Sequence, residues 1–542
     1  MEKKETTLIN RITHFTFQLC RKTKGLDHRL ENQLNDIMFS LKGNLFISED
    51  QEERNQYLQL LSYLFKLIAY TRDIYDGKGE RDLTYMMIIV WYKHFPKLAV
   101  YIIEKICSSS NPTTNTTTKI GFGSWKDAKY ICQYIKHNSN ILAEEKKEKC
   151  IEQIIQIMNR QLYIDFTNQT ENNLSLIAKW IPREKSKFGW LYESLVQNWN
   201  ANYEKQKQAS NHSYKKYRKI LTSLNTQIDT TQIKQCERKS DEINYYNVTH
   251  VTKNKNADYF LRNSTKYITN SQTYSQTYSQ KSPHNYDLGE ISRERNIEQK
   301  GYMDIWKKTR ENILSTSKTN DEIYLLPILD MTSNNIEEGI AISILLSEIS
   351  SLSNRIMTYD HERSNWISLD PNTSLYEKKM QIRNQTIRPS TSYKSNKTDN
   401  HSILAIESIL KSILETKLPL EKIENMYLVF ISDFTFNLLE NKETKENKNH
   451  YSLIKHMFQT ITKTTKIPKI IYWNISTEIV PILPCSATTP NVIFLAGTAS
   501  SNFHHLIHFF TTEETNPFSY YNKILNQEKY QPLETYLYQQ II

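Results

Sequence analysis

The chain has 542 residues and a net charge of +10, with 38% apolar residues, 8 Trp, 34 Tyr and 19 Phe. This content excludes a wholly disordered chain, and at roughly 150 residues per domain the length predicts several domains, of which we distinguish two main ones. The six cysteines include no Cys-x-x-Cys pair, which excludes a cysteine-based zinc module and favours reduced thiols inside a cell.

The N-terminal sequence MEKKETTLINRITHF is charged and has no uninterrupted apolar core, so we expect no secretory signal. No stretch approaches the roughly 18 consecutive apolar residues of a membrane-spanning helix. We therefore expect a cytoplasmic protein with no membrane partner.

The first part of the chain has a helical pattern. From Leu8 to about Leu224, apolar residues recur at spacings of three and four. Helices are predicted at 57–68, 81–93, 97–106, 124–136, 144–160, 174–180 and 190–200. Successive short helices build a stacked α-helical array. We assign 1–250 to such a HEAT-like domain, although no strict internal period is present.

Glycine-containing segments inside this region are predicted to be turns. The sequence Asp76-Gly77-Lys78-Gly79-Glu80-Arg81 has no preceding strand and lacks the phosphate-loop spacing. It therefore predicts a turn between two helices.

Positive charge is concentrated in the first part of the chain. Residues 1–320 carry about +14 and residues 321–542 about −4, which together give the total of +10. This asymmetry favours a nucleic-acid partner for the first part of the chain. The alternative, to which we give equal weight, is a lysine-rich solvated surface without a partner.

One basic stretch within this region is a candidate nucleic-acid site. In the sequence YKKYRK from Tyr214, the cations Lys215, Lys216, Arg218 and Lys219 would contact phosphates while the tyrosines stack on bases. The alternative is a solvated helix face with its tyrosines packed inward. The pattern favours this second interpretation.

Residues 251–320 contain the tandem sequence SQTYSQTYSQ and little periodicity, so we interpret them as a linker or insertion with a connecting helix. From Glu322 the pattern alternates between strands and helices. Strands are predicted at 323–329, 355–359, 427–432, 469–474 and 492–496, helices at 337–352, 402–414 and 451–464, and a polar insertion at 360–400. This pattern predicts a doubly wound, Rossmann-like parallel sheet domain over 321–542.

The end of the first predicted strand carries the most informative motif. The apolar run Leu325–Leu329 stops at Asp330, and Thr332 and Asn334 follow. A buried parallel strand delivers such oxygen-bearing side chains to the carboxyl edge of a sheet, where ligands of α/β folds gather. The spacing Asp-x-Thr-x-Asn resembles the Asp-x-Ser-x-Ser metal-adhesion motif of von Willebrand A domains.

That resemblance implies a Mg²⁺ site, which could also be degenerate and only cap the sheet edge. The predicted metal ligands are Asp330, Thr332, Asn334, Thr398 and Asp433, with Asn400 as an alternative to Thr398. We predict no catalytic residues. A metal-dependent hydrolase is the less favoured alternative, because a phosphohydrolase normally has a second carboxylate where this chain has Thr332.

Several motifs over nearly the whole chain resemble one family. They are TRDIYDGKGERDLTYMMIIVWYKHFP, GFGSWKDAKYI, LSLIAKWIPREKSKFGWL, YRKILTSLNTQI, LPILDMTSN, YLVFISDFTF and IIYWNI. They resemble an uncharacterised domain-of-unknown-function family of plants and large DNA viruses. That family in turn resembles the Ro-type TROVE proteins, which join helical repeats to a von Willebrand A domain and bind small structured RNAs.

This resemblance implies an RNA-binding helical domain followed by a von Willebrand A-like domain whose rim binds a protein partner. The family usually has Asp-x-Ser-Gly-Ser where this chain has Asp330, Thr332 and Asn334. We therefore expect a non-enzymatic ribonucleoprotein component in the cytoplasm. The alternative is a structural or protein-interaction factor, in the virion if the protein is viral.

Overall fold

The structure is a computed structural model. It describes residues 2–21, 28–108, 121–138, 140–168, 174–204, 209–228, 230–243, 323–384, 401–434, 449–510 and 515–541, together with 256, 259, 306, 310 and 311. The chain divides into two compact units. The α/β unit joins Met1–Leu64 to Tyr286–Gln531, and the helical unit joins Phe65–Asn285 to Pro532–Ile542.

This division differs from the predicted domains at both ends of the chain. It places residues 1–64 with the α/β unit, whereas the sequence pattern assigned them to the helical domain. It also places Pro532–Ile542 with the helical unit, whereas the sequence pattern assigned them to the α/β domain. The predicted boundaries near 250 and 320 lie where few residues are described. Those boundaries stay predictions.

The N-terminal half is helical, as predicted. Helices α1 to α3 are Glu2–Phe17, His28–Ile47 and Gln51–Arg72. The helical unit begins within α3, at Phe65. Its further helices are α4 Asp82–His94, α5 Pro96–Cys107, α6 Trp125–Asn138, α7 Glu144–Thr167, α8 Ile177–Trp180, α9 Tyr192–Tyr203, α10 Asn211–Ile228 and α11 Thr231–Cys236, with 3-10 turns at Gly189–Leu191 and Ser240–Glu242. Each predicted helix corresponds to one of these elements.

A buried ion pair holds three parts of the helical unit together. Arg72, at the end of α3, donates to both carboxylate oxygens of Asp127 on α6, at 3.0 and 2.9 Å. The hydroxyl of Tyr85 on α4 donates to the same carboxylate. The Arg72 guanidinium lowers the pKa of Asp127 against the opposing effect of its burial. A buried carboxylate with so many donors is a structural anchor and not a solvent-facing site.

The turn between α3 and α4 is as tight as its glycines predict. A Cβ atom on Gly77 would lie 2.1 Å from the backbone oxygen of Tyr70, so no larger residue fits without movement. Gly79 has a positive φ of 70°, which glycine tolerates best. The predicted turn is confirmed, and Lys78 within it is buried.

The C-terminal part contains a six-stranded, mostly parallel sheet flanked by helices. Its elements are β1 Tyr324–Asp330, α12 Ile336–Ile349, β2 Arg355–Tyr359, β3 Ser364–Ser368, α13 Leu375–Asn384, α14 Ser402–Thr416, α15 Leu420–Glu424, β4 Met426–Ser432, α16 His450–Thr462, β5 Lys469–Asn474, β6 Val492–Ala496, α17 Ser501–Phe510 and α18 Pro517–Leu525, followed by a 3-10 turn at Glu528–Tyr530 and α19 Gln531–Ile541. The strand order is β3-β2-β1-β4-β5-β6. This is the order of doubly wound sheets.

Helices cover both faces of the sheet, as the uninterrupted apolar strands predict. Ile328 and Phe430 belong to a buried cluster with residues of α14 and α16. Leu329, which points to the opposite face, meets Gly339 of α12 so closely that a Cβ there would lie 2.6 Å from the Leu329 side chain.

The expectation of a wholly parallel sheet is wrong at one edge. β3 runs antiparallel to β2, from Arg355 opposite Ser368 to Tyr359 opposite Ser364. The polar insertion predicted at 360–400 in fact contains β3 and α13. The cause is a short hairpin turn, in which Asp360 accepts backbone hydrogen bonds from residues 362 and 363.

The N-terminal segment packs on the sheet within the α/β unit. Helix α1 contacts β6 and α18, and Phe17 at its end lies in the buried cluster, with its ring 4.6 Å from that of Phe494. The side chain of Asn10 accepts a hydrogen bond from the backbone of Ala487 at 2.8 Å. These contacts explain why residues 1–64 group with the sheet. Over the part of the chain that the structure describes, no helix has the length and apolarity to cross a bilayer.

Candidate functional site

Three neighbouring strands end in polar side chains at the carboxyl edge of the sheet. Asp330 is the last residue of β1, Tyr359 the last of β2 and Ser432 the last of β4. Asp330 lies directly opposite Tyr359 in the register of β1 and β2. Because β1 lies between β2 and β4, the strand ends bring all three side chains together. We call Asp330, Thr332, Tyr359, Ser432 and Asp433 the sheet-edge site.

The Asp330 carboxylate is held by hydrogen bonds on both oxygens. Its Oδ1 accepts from the backbone nitrogen of Thr332 at 2.9 Å and from the Thr332 hydroxyl at 2.6 Å. Its Oδ2 accepts from the Ser432 hydroxyl at 2.7 Å. Burial raises the pKa of Tyr359 well above its usual value of 10, and the Asp330 charge adds to this increase. Tyr359 therefore remains a neutral hydroxyl group beside the carboxylate.

The second acidic residue follows the end of β4. Asp433 Oδ2 accepts a hydrogen bond from the backbone nitrogen of Asn334 at 3.3 Å, which links the two loops. The next residue, Phe434, has a positive φ of 49° and donates its backbone N–H to the Ser432 hydroxyl at 3.1 Å. This left-handed residue turns the chain just beyond the sheet. Asp330 and Asp433 thus lie at the ends of neighbouring central strands, as predicted.

The site is partly open to solvent. Asp330 and Asp433 are buried, with 4% and 5% of their surface exposed. Thr332 and Asn334, between them along the edge, are exposed. An incoming ligand would therefore meet Thr332 and Asn334 before it reaches the carboxylates.

The N-terminal segment covers the neighbouring part of the same edge. Asn474, the last residue of β5, donates its side-chain amide to the backbone oxygen of Phe17 at 2.7 Å. The Cys20 thiol donates to the backbone oxygen of Asn474 at 3.2 Å. The end of β5 is thereby occupied by the protein's own chain, whereas the loop after β1 has two exposed polar residues, Thr332 and Asn334.

The donor types of this site fit a hard cation such as Mg²⁺, which binds carboxylate, hydroxyl and amide oxygens. Two features oppose a strong metal site. The described hydrogen bonds already satisfy the Asp330 carboxylate. Within the described residues there is also no group of three or more His, Cys, Asp or Glu side chains placed to hold a metal. The predicted ligand Thr398 and its alternative Asn400 lie outside the described residues, so the metal site stays a prediction.

The predicted basic site lies on α10. Lys215, Lys216, Arg218 and Lys219 are all exposed, and Lys216 forms an ion pair with Glu204. Tyr217 is fully buried, and its hydroxyl donates to Asn159 Oδ1 at 2.8 Å. Tyr217 is therefore part of the helical core and is not available to stack on a base. The helix presents cations that can contact phosphates but not this ring.

Two residues of the sheet-edge site were not predicted from the sequence. Tyr359 and Ser432 both hydrogen-bond within the Asp330 network. Each is the last residue of a correctly predicted strand, so its position at the carboxyl edge of the sheet could be predicted from the sequence. Only the register between strands shows that these side chains meet at Asp330.

Residues 325–532 match the family described as Domain of unknown function (DUF7788). The match covers the sheet and most of its helices, and it does not extend to the helical unit. A search of curated proteins gave no match, and neither did a search of solved structures. The resemblance of the whole chain to Ro-type proteins therefore stays a prediction.

Proposed function

We propose that this protein binds RNA through its helical unit and uses the sheet-edge site to bind a second partner, without catalysing a reaction. The observation that carries the RNA-binding proposal is the row of four exposed cations on α10, Lys215, Lys216, Arg218 and Lys219. They lie in the part of the chain with an excess of positive charge. Exposed lysines and arginines at successive helical positions follow a phosphate backbone and release its counterions.

The contacts on α10 are of a kind that gives affinity but little sequence specificity. Phosphate contacts position a protein on a nucleic acid, whereas specificity comes from contacts to the bases. Tyr217 is buried and Tyr214 is half-buried, so the fully exposed groups of this basic stretch are its four cations. Phosphate contacts without base contacts support a role in retaining a structured RNA. A protein recognises double-stranded RNA mainly by the shape and backbone of the RNA helix.

The test is binding of a labelled RNA hairpin to the full chain over a series of salt concentrations. The variant replaces Lys215, Lys216, Arg218 and Lys219 with Gln. Each lost phosphate contact lowers the steepness of log K against log salt by about 0.7 to 0.9, so we expect a loss of about 3. The matched control replaces four other exposed lysines of the helical unit with Gln: Lys93, Lys97, Lys146 and Lys149.

The control removes the same charge and should retain most of the wild-type steepness. An equal loss in both variants would mean that only the total charge matters, which contradicts a site on α10. Binding of the wild-type protein no stronger than that of a neutral control protein at low salt would remove the RNA-binding proposal.

A second function is favoured by the sheet-edge site. We propose a von Willebrand A-like domain in which Asp330, Asp433 and the exposed Thr332 take part in binding a partner, with Mg²⁺ as a bridging ion. The strand order and the acidic residue at the end of β1 support this proposal. Mg²⁺ retains open coordination positions that a partner's carboxylate can fill.

Thermal unfolding with and without Mg²⁺ tests this second proposal. A cation that binds only the folded state at 100 times its Kd stabilises it by about 2.7 kcal/mol. We expect Asp433→Asn to abolish the Mg²⁺-dependent rise in Tm, and Glu407→Gln, which changes an exposed acid on α14, to leave it intact. A wild-type Tm that does not respond to Mg²⁺ would indicate that the edge is only a structural cap.

A further inference from the structure

A second group of basic and aromatic side chains lies elsewhere in the helical unit. It consists of Lys126, Lys129 and Tyr130 on α6, Lys179 and Trp180 at the end of α8, and Phe188 in the loop that follows. We call these six residues the Trp180 surface. Tyr130 and Phe188 pack edge to face, with ring centroids 4.9 Å apart.

Three ammonium groups surround the indole of Trp180. The Nζ atoms of Lys129, Lys126 and Lys179 lie 4.9, 5.4 and 5.5 Å from the ring centroid. Lys126 also lies 5.4 Å from the ring of Tyr130, and Lys129 lies 5.2 Å from that of Phe188. Distances of this size permit cation–π attraction, which is weak at exposed sites and easily exchanged for a phosphate contact.

Positive charge is crowded on this surface. Burial and the neighbouring Lys126 together lower the pKa of Lys129 to about 8. The described hydrogen-bond partner of Lys179 is a neutral group, the side-chain oxygen of Gln232 at 3.0 Å. An anion placed here would reduce the repulsion between the ammonium groups. The surface is therefore suited to a negatively charged ligand.

The aromatic rings are accessible in part. Trp180 and Tyr130 are half-buried, and Phe188 is buried. One alternative is that the lysine stems only cover an apolar ring while their charges remain in water. A single lysine is enough to cover a ring in this way. Trp190 is an example, because the Nζ atom of Lys136 lies 4.2 Å from its ring centroid. Three lysines around one indole exceed that need.

We propose that the Trp180 surface binds the unpaired nucleotides of an RNA, with a base stacked on Trp180 and the flanking phosphates contacted by Lys126, Lys129 and Lys179. The inference rests on the proposed RNA-binding function and specifies its ligand. Stacking on the half-buried indole of Trp180 requires a base that is free of its partner strand. Lysines beside the stacking ring are the arrangement typical of single-strand sites.

The two surfaces of the helical unit then have different tasks. The cations of α10 contact backbone phosphates of any RNA. The Trp180 surface discriminates unpaired from paired nucleotides, because bases inside a helix do not expose their faces. Tyr217 of α10 is buried in the core, so we assign the preference for single strands to the Trp180 surface.

The experiment measures binding of the full chain to a labelled 12-nucleotide oligouridine and to a 12-base-pair RNA duplex at one low salt concentration. We expect Trp180→Ala to weaken oligouridine binding by about 5- to 150-fold, the range for one stacked base, and duplex binding by less than about 2-fold, since a duplex presents no open base. Trp180→Phe should restore most of the oligouridine affinity, because it retains an aromatic face.

Two controls separate stacking from folding and charge. Trp190→Ala removes a half-buried indole outside the Trp180 surface and should leave both affinities unchanged. Lys129→Met retains the stem that covers the ring but removes the charge. We expect it to weaken oligouridine binding as well, which a purely structural lysine would not do. Far-ultraviolet circular dichroism checks that each variant is folded.

Each outcome is informative. If duplex and oligouridine both bind and Trp180→Ala affects neither or both equally, the inference is overturned while RNA binding stands. If a polyphosphate without bases loses as much affinity as oligouridine on Trp180→Ala, stacking is excluded. If no RNA binds to the wild-type protein at all, the proposed function and this inference both fall.

Discussion

Replacing His450 is expected to change how the stability of the α/β unit depends on pH. His450 is the first residue of α16 and is buried. Its Nε2 lies 2.7 Å from the Ser402 hydroxyl, and its Nδ1 lies 2.9 Å from the Tyr472 hydroxyl. Burial lowers its pKa from 6.5 to about 3. The imidazole is therefore neutral in the folded protein over the whole range in which a free histidine takes up a proton.

The sign and size of the effect follow from this lowered pKa. Below pH 6.5 the unfolded chain binds a proton at His450 that the folded protein excludes, so stability falls with pH until about 3. Each pH unit below 6.5 costs about 1.4 kcal/mol. Between pH 7.5 and 5.0, His450 alone should therefore lower the free energy of unfolding by about 2 kcal/mol.

The assay is urea unfolding at pH 7.5 and pH 5.0, followed by circular dichroism. In His450→Asn the difference in unfolding free energy between the two pH values should be about 2 kcal/mol smaller than in the wild type. The other titrating groups contribute alike to both proteins and cancel in this comparison. His456→Asn, which alters an exposed histidine of the same helix, is the matched control.

The reasoning is refuted if His450→Asn retains the full wild-type dependence on pH. That result would mean that the imidazole takes up a proton in the folded state. A lower stability of His450→Asn at pH 7.5 alone does not show whether the imidazole is neutral in the folded state, because the variant also loses hydrogen bonds to Ser402 and Tyr472.

Three further predictions concern single contacts. Asp127→Asn should destabilise the helical unit by about 3–5 kcal/mol in urea unfolding, because it leaves the buried Arg72 guanidinium unpaired. As a control, Glu104→Gln changes the exposed ion pair with Arg160 and should cost less than about 1 kcal/mol. Gly77→Ala should lower Tm because its Cβ would meet Tyr70 at 2.1 Å, while Gly43→Ala, with open space around it, should stabilise helix α2 by about 0.5–1 kcal/mol. Tyr359→Phe removes a hydroxyl beside Asp330 and should cost about 1–3 kcal/mol in thermal unfolding; an unchanged Tm would show that this hydroxyl does not support the sheet edge.

The sheet was predictable where strands are apolar runs between polar residues. The strands β2, β5 and β6 begin and end at the predicted residues. Strand β3 was missed because its sequence SNWIS contains a single buried position and reads as a polar loop. The placement of residues 1–64 on the sheet was missed for another reason. It depends on contacts such as that of Asn474 with Phe17, far apart in sequence.

The candidate site was predictable in its carboxylates but not in its network. Asp330 and Asp433 follow apolar strands, so their place at the sheet edge could be read from the sequence. The partners Tyr359 and Ser432 depend on strand register, which a single sequence does not specify. For α10, the favoured interpretation was a solvated helix face with its tyrosines packed inward. Tyr217 is in the core, whereas Tyr214 is half-buried.

Photochemical crosslinking tests most directly whether the helical unit binds RNA. The full chain is crosslinked to an RNA that contains 4-thiouridine in both a loop and a stem, and the crosslinked peptides are identified by mass spectrometry. RNA binding by the helical unit predicts crosslinks in peptides that contain Trp180 or residues 211–228. Crosslinks confined to residues 321–542, or none above those of a neutral control protein, would contradict it.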